Sequence, residues 1–241
     1  MFDKFLLWCG ILSSLLYVAI NIIVPLHWEE YDIASQTVSE LSAVGAPTRL
    51  LWILLSAPYT LLVAAFGWGV ARASYQSKRL RISGLFLMIY GLLGIAWPFP
   101  PMHLREVLAI GGGTVSDILH IVLACLTVVL MLLSIGFAAG ALKAGFRAYS
   151  TGTMIVLSIF GTLTALDSPG MEANLPTPFL GIWERISIGA FLLWIVVLAI
   201  MLLKQHLKKA TVDPNGLQPL CSTKSQSVSG ERKGVKEVSP L

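Results

Sequence analysis

Six apolar runs, at about 5–25, 50–71, 82–98, 117–142, 150–166 and 181–203, limit what this chain can fold into. Each is close to the roughly 20 residues with which an α-helix crosses a hydrocarbon core. The composition agrees: 56% of residues are hydrophobic, 12% are charged and the mean hydropathy is +0.77. That excludes an ordinary soluble domain. No run alternates apolar and polar residues, which argues against a transmembrane β-barrel. The predicted fold is all-α, a six-transmembrane-helix bundle over residues 1–203, without internal repeats.

Short loops give the orientation. Arg72, Lys78, Arg79 and Arg81 lie between the second and third runs, and Lys143 and Arg147 between the fourth and fifth. With Lys4, Lys204, Lys208 and Lys209 they share one end, which the positive-inside rule makes cytoplasmic. Both termini are then cytoplasmic, in a multi-pass protein of the cell membrane. The first run is too long for a signal-peptide core and lacks a clean cleavage site, so it reads as a retained helix. Cys9 and Cys125 fall in helices and Cys221 near the end of the chain, so no outer disulfide is expected. Residues 204–241 are rich in Lys, Ser, Gly, Pro and Gln, and are expected to be a disordered basic tail.

The opposite end is acidic. Glu29, Glu30, Asp32, Glu40, Glu106, Asp117, Asp167, Glu172 and Glu184 face only Arg49, Arg105 and Arg185 there. Topology rules explain the bases and leave the acids unexplained. No ionisable residue falls at mid-helix, where coupled transporters usually carry one. In the first outer loop Ile33, Val38 and Leu41 share one side of a helical wheel, predicting a short interfacial helix. Gly45 suits a left-handed turn after it, and Pro47 the first turn of the next span.

Candidate chemistry gathers at this acidic end. Ser116, Asp117 and His120 are spaced to meet on one helix face, where Asp117 would orient His120 as a general base. Ser116 as an N-cap and Asp117 in the first turn also have purely structural readings. Asp167, at a helix C-terminus, opposes the macrodipole and calls for a partner such as Arg49 or Arg185. His120 and Asp117 are therefore candidate catalytic residues, and Glu40, Arg49, Asp167, Glu184 and Arg185 candidate ligand-binding residues. His27, His103 and His120 lie on separate segments without HxH or HExxH spacing, so no metal site is expected. No cofactor or nucleic-acid motif is present. Asn21, Thr127, Ser134, Ser158 and the Gly136-x-x-x-Gly140 pair read as helix-packing devices.

The stretches Tyr31-Asp32-Ile33-Ala34-Ser35-Gln36, Ser39-Glu40-Leu41 and Gly45-Ala46-Pro47-Thr48-Arg49 resemble the domain of unknown function 998 family, six-helix membrane proteins of bacteria and archaea. Asp117, His120 and Trp183-Glu184-Arg185 extend the resemblance over about 5–203. It implies six spans and no established activity. The Ser-acidic segment before helix 2 and the histidine early in helix 4 are also similar to eukaryotic autophagy-modulator and glycolipid-anchor-remodelling membrane proteins. The functional expectation is an amphiphile, such as a membrane lipid, bound or modified at the outer leaflet. The alternatives are a non-catalytic assembly protein whose exterior loops dock a protein partner, or a small-solute transporter.

Overall fold

A computed structural model describes residues 2–73 and 77–212. Seven α-helices follow in order: α1 (Phe2–Ile23), α2 (Arg49–Ala73), α3 (Lys78–Leu93), the short α4 (Arg105–Ala109), α5 (Val115–Ala139), α6 (Ala144–Glu172) and α7 (Leu180–Val212). All but α4 belong to segments long and apolar enough to cross a membrane, six in number as expected. No strand occurs among the described residues. The last helix carries on through 204–212, residues assigned above to the tail. Residues 213–241, with Cys221, lie outside the described part.

The six long helices form a closed ring. Helix α1 touches α2 and α7, α3 touches α2 and α5, and α6 touches α5 and α7. The tightest seam is α2–α3. A Cβ on Gly67 would fall on the backbone of Met88 and Gly84, and one on Gly91 on the backbone of Ala64 and Thr60. Glycine here lets two backbones touch, the small-residue device of helix packing in membranes. Gly136, expected to do this, would meet only Met154 Cε at 3.9 Å. The spacing signal was real at Gly140 alone, which lies against the Arg79 side chain.

Packing is uneven along the ring's axis. At the end where α1 begins and α7 finishes, Leu7, Phe66, Leu87, Ile135, Phe146, Leu157, Phe191, Trp194 and Leu198 fill the centre. Trp194 also donates its indole N–H to Ser150 Oγ at 3.0 Å, which satisfies a buried polar group. Toward the loop end this filling stops. Helix α6 buries Phe146, Ser150, Thr153 and Leu157 and then nothing until Met171.

Over that end lies a roof of loops. The predicted amphipathic helix is absent: the first loop makes only two 3-10 turns, at Val24–His27 and Ser39–Ser42. Val38 and Leu41 are buried, but Ile33 is 47% exposed, so the three do not share a face. Polar hooks in the loop compete with helical hydrogen bonds and win. Asp32 accepts from Ala34 N and Ser35 Oγ, contacts that hold its carboxyl below the usual range. Gly45 does adopt the left-handed conformation, φ 91°. Beyond it, Val44 N donates to Met102 O at 2.8 Å, tying the first loop to the second. The third side is closed by Gly181 N, which donates to Ala34 O at 2.9 Å.

Candidate functional site

Three arginines fasten the roof, each by satisfying carbonyls that an irregular loop leaves open. Arg49 donates to Ser42 O at 2.7 Å and Pro98 O at 3.4 Å. Arg185 reaches Ile33 O and Gln36 O, both at 2.9 Å, and Tyr31 Oη at 2.6 Å. Arg105 grips Glu40 through two bonds, Nε to Oε1 at 2.8 Å and Nη2 to Oε2 at 2.9 Å. The Glu40 side chain is 0% exposed, and it also accepts from Thr37 N at 2.7 Å. Burial disfavours charge on Arg105, but the bonds and charge of Glu40 outweigh it and raise its pKa.

Beneath the roof lies a cavity of about 1470 Å³ where the core filling stops. Its walls are mostly apolar and come from α2, α3, α5, α6 and α7. Trp52, Tyr59, Tyr90 and Trp97 stand on one side, Ile121, Val128, Gly161 and Ala165 on the other, and Met131, Leu132 and Leu157 at the floor. Ile118 (62% exposed), Ile121 (49%) and Leu166 (70%) line it from the neighbouring helices α5 and α6 with much of their surface uncovered. Polar groups interrupt these walls: Tyr59 and Tyr90 join hydroxyls at 2.8 Å, Ser and Thr hydroxyls such as Thr60, Thr127, Thr164 and Ser187 are spread along the helices, and His120, Asp117, Glu172 and Glu184 are the ionisable groups besides tyrosine and Cys125.

Glu184 hangs from the first turns of α7. One carboxylate oxygen, Oε2, accepts the Val38 N–H from the roof, and the other accepts no hydrogen bond among the described residues. Opposite, His120 packs edge-on against Trp97, ring centroids 4.8 Å apart. Its Nδ1 lies 2.9 Å from Pro100 O, while its buried Nε2 has no partner at all.

A family profile described as Protein of unknown function (DUF998) matches residues 11–201. The chain belongs to that family. No curated protein and no solved structure matches it. Membership in DUF998 fixes no activity, so function has to be argued from the cavity.

This DUF998 chain rearranges several sequence expectations. Asp117 does not orient His120. Its carboxylate takes His103 N at 2.7 Å and His103 Nδ1 at 2.9 Å, and closes a capping box with Thr114. The N-cap is accordingly Thr114 and not Ser116, whose hydroxyl donates to Pro101 O at 2.6 Å. A Ser116–His120–Asp117 relay is thus not assembled, because both flanking groups are engaged elsewhere. Asp167 lies within α6, not at its end, since the helix runs past Pro169 to Glu172. Neither Arg49 nor Arg185 pairs with it, and no ion pair reaches it among the described residues. Of the seven candidates, His120, Asp117 and Glu184 share the cavity, while Glu40, Arg49 and Arg185 belong to the roof.

Arg105 was not singled out from the sequence. The only available signal was its rarity, as one of three bases on a face of nine acids. Among the described residues no three His, Cys, Asp or Glu side chains gather as metal ligands would.

Proposed function

We propose that this membrane protein binds an amphiphile drawn from the lipid leaflet, with its tail in the cavity and its head near Glu184 and His120. The supporting observation is the cavity itself. At about 1470 Å³ it exceeds the roughly 300–1,000 Å³ of most small-molecule pockets, and it combines apolar walls with a few convergent polar groups. On this reading the ligand enters sideways between α5 and α6, both of which line the cavity, the direction from which a lipid arrives. Lys4, Arg72, Lys78, Arg79, Arg81, Lys143 and Arg147 lie at the other end of the bundle, so on this reading the roof faces out of the cytoplasm at the cell membrane.

Gly161 offers a test. It lines the cavity, and a Cβ there would meet nothing within 4 Å. Gly161→Phe should fold normally while its ring fills the space. Native mass spectrometry of the protein extracted in mild detergent should show a bound lipid, and Gly161→Phe should lose most of it. A wild type that carries no lipid, or a variant that carries as much, would sink the reading.

A further inference from the structure

The cavity gathers carboxyl groups with no fixed cation among them. Asp117, Glu172 and Glu184 line it, and no Lys or Arg does. The three arginines at this end are turned onto loop carbonyls and Glu40, as described. His120 points the same way. A carbonyl can only accept, so the contact with Pro100 O puts the proton on Nδ1 and leaves Nε2 with a lone pair. That lone pair has no partner although the residue is only 6% exposed.

Four of the hydroxyls agree. Thr60, Thr127 and Thr164 each donate to a carbonyl of their own helix at 2.8 Å, and Ser168 does so at 3.0 Å. With the proton so used, their oxygens present lone pairs to whatever enters. An anionic head placed here would be stripped of water beside Glu184 with no cation to meet it, a costly arrangement. A protonated amine would instead find the free Glu184 oxygen and the His120 Nε2, in charge-assisted bonds.

We infer that the cavity selects amphiphiles with a protonated amine head over those with an anionic head. This narrows the amphiphile reading above and depends on it.

The test uses the full-length protein in a neutral detergent near pH 7. Three probes share one brominated alkyl chain and differ only in the head, which is a primary amine, a hydroxyl or a carboxylate. Bromine quenches the fluorescence of Trp52 and Trp97 in the cavity wall, giving an affinity for each probe. The amine should bind at least about tenfold tighter than the carboxylate. Glu184→Gln keeps an oxygen for the Val38 N–H and removes the charge, and should bring the amine down to the level of the alcohol. His120→Phe keeps a ring against Trp97 and removes the Nε2 acceptor, and should weaken the amine and alcohol but not the carboxylate. It serves as the second variant if Glu184→Gln lowers folded yield. Equal binding of amine and carboxylate, or an amine preference surviving both substitutions, overturns the inference while leaving amphiphile binding intact. If none of the three probes quenches, the amphiphile reading itself fails and the inference falls with it.

Discussion

Glu40→Ala should destabilise the folded protein by about 3–5 kcal/mol, lowering the midpoint of thermal unfolding in detergent by on the order of 10 °C. The carboxylate is fully buried, and its loss strands the Arg105 guanidinium against Ser35 O and Thr177 Oγ1 with no anion beside it. The cost comes from that stranded charge more than from the pair's own attraction. Arg105→Met combined with Glu40→Leu should therefore be less damaging than Glu40→Ala alone. Scanning fluorimetry of the three proteins decides it. A double variant as unstable as Glu40→Ala would mean that the shape of the loop, and not charge compensation, matters at this point.

The second large effect belongs to the α2–α3 seam. A Cβ on Gly84 would lie on Ala71 N and Gly67 O, which are backbone atoms that no rotamer change can move aside. Gly84→Ala should cost about 1–3 kcal/mol, and Gly84→Leu should prevent a monodisperse protein from accumulating. Gly152→Ala supplies the contrast, since a Cβ there meets nothing within 4 Å. In a helix interior it should be neutral or stabilising by up to about 1 kcal/mol. Folded yield by size-exclusion chromatography separates the cases, and equal yields from Gly84→Leu and Gly152→Ala would contradict the packing described.

These effects divide along the line between what the sequence made legible and what it did not. The six spans were plain because hydropathy over some 20 residues is a local property that lipid reads directly. The polar end was equally plain, as was the left-handed Gly45. Pairings were not. Glu40 finds Arg105 and Asp117 finds His103 across loops whose path no periodicity records. The wheel of Ile33, Val38 and Leu41 misled because side-chain hooks from Asp32 and Glu40 turn the chain before a helix can propagate. Asp167 misled because the apolar run ends at residue 166, whereas α6 continues through Pro169 to Glu172, as a helix packed against neighbours can. The cavity was hidden for a different reason. Gly161, Thr162 and Ala165 are ordinary residues of a spanning helix, and they become a void only because nothing from α5 or α7 reaches across to them.

A cavity lined by spanning helices and filled from the leaflet, as proposed, changes how occupancy should be counted. A ligand that enters from within the leaflet is at equilibrium with its mole fraction among the surrounding lipids, not with its concentration in water. Diluting the aqueous phase would leave such a site filled, whereas adding detergent or inert lipid would empty it in proportion.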